Sequence, residues 1–295
     1  MQRLRHSSGM DDTPIFTRRT LIAAMLAAAL PASTLAARRD ERFQLIEKIG
    51  GGRLGVAIHD AETGRRSAWR GRERFPMCST FKLLAAALVL HRVDRGAERL
   101  DRRVLYGAEA IVAHSPATES RVASGMTVGE LCEAAITLSD NTAGNLLLAS
   151  FGGPPALTAF APRLGGGRTR LDRIETELNS AIPGDRRDTT TPLDMIEMMQ
   201  RLLLGHALSA PSRTLLLGWL GANRTGGARL RAGLPSGWEI GDKTGSGENG
   251  TANDVGILWP PGRRPMLIAV YLTQSPGDPA ARDAMIAEVA RTATR

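Results

Sequence analysis

The sequence predicts a mixed α/β (α+β) protein. A five-stranded antiparallel sheet flanked by terminal helices would stand beside an all-α lobe, with a cleft for a site between them. Three observations predict it. Strand-like runs lie near both ends of the chain, helical patterning dominates from about residue 76 to 220, and an amphipathic stretch closes the C-terminus. The economical arrangement joins both strand-rich ends into one lobe and leaves the helices to form the other.

The elements follow in order. "TRRTLIAAMLAAALPASTLAA" (17–37) has a basic start, an apolar middle and a small-residue tail, the pattern of a cleavable export signal. Arg18-Arg19 before the apolar run resembles a twin-arginine signal, with cleavage expected near Ala36 or Ala37. Residues 1–37 are therefore set aside and 38–295 form the mature domain, periplasmic or secreted. "RLGVAIHDAETGRRSAWRG" reads as two strands around the turn Asp60–Gly64. "TVGELCEAAITLSDNTAGNLLLASFGG" reads as helices ending at Gly152-Gly153, and "TPLDMIEMMQRLLLG" as a helix capped by Thr191 with Pro192 in its first position. "SAPSRTLLLGWLGAN" is a further short helix. "GWEIGDKTGSG", "ANDVGILWPP" and "RPMLIAVYLTQ" form an antiparallel meander, and "PAARDAMIAEVARTA" is the closing helix. The α/β lobe would comprise about 38–70 and 222–295, the all-α lobe about 71–221.

Composition narrows the function. The chain has 295 residues, 42% hydrophobic and 23% charged, as expected of a globular protein with an ample core. No long uncharged apolar run follows residue 40, so no stable membrane association is expected after export. The formal charge of +8 falls to about +6 without the four Arg and two Asp of residues 1–37. Basic residues are scattered and aromatics make up only 4%, which speaks against nucleic acid and for small anionic molecules. The five histidines form no metal-binding pair, so no metal is expected. Cys78 and Cys132 could be joined or free.

Chemistry concentrates at "CSTFKLLAAALVL". A helix hydrophobic on every side is normally buried, yet this one opens with Ser79 and carries Lys82 three residues later. Positions i and i+3 share a helix face. A desolvated lysine can serve as the base that a serine nucleophile needs, and a helix N-terminus favours a developing anion. The bland alternative, a cap and a snorkelling lysine, leaves a charge beside a buried run without a partner. Ser139-Asp140-Asn141 sits between two helical stretches and offers a hydroxyl and an amide; alone it would read as a cap or turn. Lys243-Thr244-Gly245-Ser246 lies on a strand between glycines. Its lysine and hydroxyls suit a carboxylate, and Gly245 would let a ligand approach the backbone.

Taken together, S-x-x-K, S-D-N and K-T-G in this order resemble the class A serine β-lactamases, penicillin-recognising serine hydrolases, over essentially the whole mature chain. The stretch 168–192 is turn-rich and too long for an ordinary connection. Its Glu175-x-x-Leu178-Asn179 would put a carboxylate and an amide on one side of a helical turn, able to hold and deprotonate a water. It matches the family's deacylation motif.

The resemblance implies a two-step hydrolysis without a cofactor. Ser79 attacks the β-lactam carbonyl, and the backbone N–H groups of Ser79 and Ser246 form the oxyanion hole. Lys82, or Glu175 through a water, takes the serine proton. Ser139 passes a proton to the leaving nitrogen. Asn141, Lys243, Thr244 and Ser246 bind substrate, and Glu175 with Asn179 directs the hydrolytic water. Arg173 and Asp188 match residues that pair across the loop's neck. The frequent arginine on the strand after K-T-G is replaced by Ala252, and Arg229 stands where other members carry a substitute. Cys132 faces Ala86 where many relatives have a disulfide, and Cys78 faces Gly247 where carbapenem-hydrolysing relatives have another. His114 stands where an aromatic often guards the cleft mouth. Penicillins and cephalosporins are the expected substrates of a monomer. The rivals are a D,D-peptidase and a glutaminase-like amidase, and a non-catalytic β-lactam sensor. Glu175-x-x-Leu178-Asn179 argues against the first, S-D-N with K-T-G against the second, and the cleavable leader with an intact Glu175 against the third.

Overall fold

The computed structural model describes residues 32–295, with side chains from residue 39 onward. The apolar part of the expected export signal, up to residue 31, lies outside them. Residues 38–295 form one compact unit. Its sheet has strands β1 (Arg53–Asp60), β2 (Arg66–Trp69), β3 (Glu239–Gly247), β4 (Thr251–Trp259) and β5 (Met266–Thr273). The spatial order is β2-β1-β5-β4-β3, antiparallel throughout. The expected five-stranded antiparallel sheet is therefore present. The first and last thirds of the chain meet where Val56 faces Val270 and Ala57 faces Ala269.

Local chemistry explains the hairpin and the central strand. Asp60 Oδ1 accepts the backbone N–H groups of Glu62 and Thr63, and Gly64 takes the left-handed φ of +70° that closes the turn. Strand β5 is apolar from Met266 to Leu272 and buried at every position. Ile268, Val270 and Leu272 enter one core, and Leu267, Ala269 and Tyr271 enter the other.

The described residues hold eight α-helices. They are α1 (Ala32–Gly50), α2 (Phe81–Val93), α3 (Val128–Thr137), α4 (Asn141–Ser150), α5 (Pro154–Phe160), α6 (Pro192–Met199), α7 (Ala210–Gly221) and α8 (Pro279–Ala293). Phe43 of α1 with Ile286 and Val289 of α8 covers one sheet face. The other face meets the helical cluster. Helix α2 runs through that cluster, and every residue from Phe81 to Leu90 is buried. Helix starts follow their caps. Thr127 and Glu130 close a capping box on α3, Asp140 caps α4, and Thr191 caps α6 ahead of Pro192.

Two features depart from the expected all-α segment 71–221. It contains two minute ladders, Phe75–Pro76 with Thr189–Thr190 and Arg103–Val104 with Met126–Thr127. Pairings of two residues are too short to leave an alternating pattern in sequence. In addition, α6 packs on β1 and β5 and so belongs to the wall between helices and sheet. Its apolar side, with Met195 and Met199, needs cover, and the sheet supplies it.

Candidate active site

Ser79 lies in a 3-10 turn, Cys78–Thr80, that leads directly into α2. The turn is braced from the sheet. Asn253 Nδ2 on β4 donates to the carbonyls of Pro76 and Met77, at 2.9 and 3.0 Å. Strand β3 presses against the same turn. A Cβ on Gly245 would stand 2.8 Å from Met77 O, and one on Gly247 would stand 2.7 Å from Cys78 Sγ and 2.6 Å from Asn179 O. Gly245 lines the cleft, and its missing side chain also makes room for the turn that carries Ser79.

The i, i+3 spacing places Lys82 Nζ 3.0 Å from Ser79 Oγ. The ammonium is wholly buried and meets only acceptors besides the serine: Ser139 O at 2.8 Å, Asn141 Oδ1 at 2.6 Å and Glu175 Oε1 at 2.9 Å. Burial pulls the Lys82 pKa down, and the Glu175 charge opposes that pull. Ser139 and Asn141 flank Asp140, whose carboxylate caps α4 through Ala143 N–H and also accepts the N–H groups of Ala117 and Thr118. The central residue of the triplet therefore locks the loop that carries His114 and Ser115 to α4.

Glu175 comes from the long loop. Its Oε1 accepts from Ser79 Oγ–H at 3.1 Å, so the two groups touch directly. Asn179 Nδ2 donates to Oε2 at 2.5 Å. The side chains meet without the expected helical turn, because the 3-10 turn Glu177–Ser180 begins after Glu175. The loop is tied at its neck, where Arg173 Nε donates to Asp188 Oδ2 at 2.6 Å and Asp188 Oδ1 accepts the N–H groups of Asp172 and Arg173. It is tied again at Glu175. Asn145 Oδ1 accepts Glu175 N–H at 2.8 Å, and Asn145 Nδ2 donates to Glu175 O at 2.9 Å.

The opposite wall is β3. Lys243 Nζ donates to Ser139 Oγ at 3.0 Å and to Thr244 O at 2.8 Å. Burial and the Lys82 charge bring the Lys243 pKa down to about 7. Thr244 Oγ1 shares a hydrogen bond with Thr225. Arg229 reaches over the strand end: Nη2 donates to Ser246 Oγ at 2.7 Å, Nη1 to Gly245 O and Asn253 O at 2.8 Å, and Nε to Asp283 at 2.7 Å. Ser246 pairs with Ala252 in the ladder, so no arginine rises from that β4 position.

The proposed residues converge. Ser79, His114, Ser139, Asn141, Asn179, Arg229, Thr244, Gly245 and Ser246 line one cleft of about 340 Å³, and Lys82, Glu175 and Lys243 lie buried beneath it. His114 is exposed at the edge, its Nε2 3.1 Å from Leu138 O. Both cysteines are free and fully buried, and burial raises the Cys78 thiol pKa. A larger hollow of about 430 Å³ lies under residues 181–186, away from any of these groups. Sequence reasoning missed Asn145, Thr225 and Asn253. Each sits in an ordinary helix, loop or strand context, and only the fold shows what it holds.

Residues 38–295 match a family model described as the Beta-lactamase enzyme family. The β-lactamase AST-1 of Nocardia asteroides is 50% identical over 258 residues, 88% of this chain and 83% of that protein. The β-lactamase OXY-1 of Klebsiella oxytoca is 44% identical over 279 residues, covering 92% and 96%. Among solved structures, an ancestral class A β-lactamase (GNCA) superposes with a TM-score of 0.86 at 62% identity, over 86% of this chain and 98% of the other. The last common ancestor of Gram-negative bacteria (GNCA4) class A β-lactamase gives 0.85 at 62% identity, over 86% and 97%.

Proposed function

The chain belongs to the class A serine β-lactamases, enzymes of β-lactam hydrolysis and resistance, and from that premise we propose how its residues divide the work. Ser79 is the nucleophile towards penicillins and cephalosporins. The observation that carries this is the buried contact of Ser79 Oγ with both Lys82 Nζ and Glu175 Oε1. Three of the Lys82 contacts, Ser139 O, Asn141 Oδ1 and the Glu175 carboxylate, can only accept, and three donors are what an ammonium has, so Lys82 rests as an ammonium. Glu175 then receives the Ser79 proton as Oγ bonds to the β-lactam carbonyl carbon. The backbone N–H groups of Ser79 and Ser246 hold the oxyanion, where losing one donor costs about 2.7–4 kcal/mol.

Collapse of the tetrahedral species breaks the carbon–nitrogen bond. Lys82 gives a proton to Ser139 Oγ as the Ser139 hydroxyl proton passes to the leaving nitrogen, and the Glu175 proton then restores the Lys82 ammonium across their 2.9 Å contact. Lys243, Thr244 and Ser246 hold the substrate carboxylate, with Arg229 bracing Ser246. Asn141 offers its amide to the substrate side chain. In the second step Glu175 deprotonates water. Asn179 Oδ1, buried without a protein partner, is the acceptor that orients it. Water attack releases the acyl group and returns the proton to Ser79.

The test mixes the purified protein with excess benzylpenicillin, follows ring absorbance and ends with an intact mass. Many turnovers with little adduct are expected. One equivalent consumed, with a lasting adduct, would mean an enzyme that acylates and stalls. Glu175→Gln should accumulate the adduct on Ser79; parental turnover by that variant would remove Glu175 from the role. Residues 1–37 act as the export leader, in line with Arg18-Arg19, the apolar run and a compact unit that begins at Arg38. The mature enzyme is a periplasmic or secreted monomer without membrane attachment. A mature N-terminus far from residue 38 would refute the leader.

A further inference from the structure

A second hollow, of about 340 Å³, lies between the C-terminal end of α2 and helix α5, on a part of the molecule the chemistry does not use. Its apolar surface comes from Leu88, Phe151, Ala156 and Phe160, with the His91 ring packed on Phe160 at a centroid distance of 5.2 Å. Its remaining polar lining is Arg92, Arg95 and Arg163, and no carboxylate lines it. Elsewhere, arginines that line a hollow are often matched: Arg53 with Glu73, Arg99 with Asp101, Arg102 with Glu98 and Arg229 with Asp283. None of the three arginines here has an acidic partner among the described residues. Arg92 makes one bond, from Nη2 to Ala97 O at 3.2 Å, and its Nε is buried without an acceptor. The carboxylate it acts on most directly, Glu98, is already held by both Nε and Nη2 of Arg102.

Three guanidiniums with unspent donors around an apolar floor are complementary to one kind of molecule. We propose that this hollow is a binding site for a small amphiphilic organic anion, a carboxylate or sulfonate carried on an aromatic or medium-chain apolar body. The head would take bidentate hydrogen bonds from Arg92 and Arg95 with Arg163 across from them, and the body would lie against Phe151 and Phe160. The volume falls in the range of small-molecule sites. The site is separate from the catalytic cleft, which opens at the other end of α2.

The probe is 1-anilinonaphthalene-8-sulfonate, titrated into the folded mature enzyme and read by fluorescence. Saturable binding of one equivalent is expected, displaced by octanoate but not by inorganic phosphate at the same concentration. The double variant Arg95→Glu/Arg163→Glu should weaken binding roughly tenfold or more, since a lost charge-assisted contact is worth about a factor of ten. Its benzylpenicillin kinetics should match the parent. Ala159→Phe, which fills the hollow from its exposed rim, should abolish binding with kinetics again unchanged. Displacement by phosphate as readily as by octanoate would reduce the site to bare charge and overturn the proposal. So would loss of probe binding once Ser79 of the Glu175→Gln variant is acylated by benzylpenicillin and the free penicillin is removed, which would place the probe in the catalytic cleft. Association with anionic phospholipid vesicles but not with octanoate would make this face a membrane contact and refute a small-molecule site.

Discussion

Replacing Asn145 by alanine should disable deacylation without touching a group that meets substrate. The Asn145 amide grips both the N–H and the carbonyl of Glu175, at 2.8 and 2.9 Å. Alanine leaves both backbone groups unpaired. A buried polar group without a partner costs about 1–3 kcal/mol, so two half-buried ones that water partly rescues should loosen the docked loop by roughly 2–4 kcal/mol. At 1.4 kcal/mol per factor of ten, that favours the undocked loop by about 30- to 1,000-fold. Acylation still has Lys82 beside Ser79, and burial alone lowers the Lys82 pKa once Glu175 moves away. Deacylation has no second base. The assay is rapid mixing with benzylpenicillin, with quenched intact mass. A burst of one equivalent, a slow steady state and an adduct on Ser79 are expected. Asn145→Asp keeps an acceptor for Glu175 N–H and loses the donor, and should fall between parent and alanine. Parental turnover with no adduct in the alanine variant would show that the clamp does not place Glu175.

Other expectations follow from the β3 wall. Lys243, at about 7 in the fold against 10.5 when unperturbed, is protonated in both folded and unfolded chains below pH 7. Between about 7 and 10.5 the unfolded chain binds the extra proton, so this group's contribution to stability rises with pH across that window. The urea midpoint of the parent should gain on Lys243→Met over that range, and a constant difference would refute the assignment. In the proposed role the charged form binds the substrate carboxylate, so kcat/KM should fall on the alkaline side with an apparent pKa near 7, and kcat should fall later; a flat kcat/KM to pH 9 would exclude it. Arg229→Ala removes the donor to Ser246 Oγ and should raise KM by about tenfold with a smaller change in kcat. An unchanged KM takes Arg229 out of the site. Gly247→Ala drives a Cβ to within 2.6 Å of Asn179 O, and should cost about 1–3 kcal/mol in urea unfolding; an unaltered midpoint would contradict the close packing.

What the sequence makes legible is chemistry carried by residue type at short spacing. Ser79 and Lys82 are read from an i, i+3 step on a buried helix, and the helix from Pro192 from its cap and proline. Residues whose work depends on long-range contact are not legible. Asn145, inside the apolar stretch "NLLL", looks like a polar position on a helix surface; its partner is 30 residues away. Gly245 is recognised as a place of close approach, but what approaches is the Met77 carbonyl, which only sheet register reveals. Arg229 carries no local signal at all, and enters through the family resemblance. The minute ladder that joins Phe75–Pro76 to Thr189–Thr190 is set by the loop's return path rather than by any β pattern.

The lysine at the head of a buried helix now has a physical account. Lys82, Glu175 and Lys243 are each almost wholly excluded from solvent, and moving such charges out of water costs several kcal/mol apiece. Replacing such a pair by apolar side chains of similar volume is often neutral or stabilising, so stability does not explain why the chain keeps them. The arrangement instead meets the condition under which buried charge is tolerable. Asn141, Ser139, Ser79 and Glu175 absorb the donors of Lys82, Asn179 and Lys82 occupy both oxygens of Glu175, and Ser139 with the Thr244 carbonyl meets Lys243. These supports come from α2, α4, the long loop and β3, so no single element can relax without stranding a charge. That mutual dependence keeps Ser79 within about 3 Å of two proton-handling groups before substrate arrives, which is the preorganisation that acyl transfer requires.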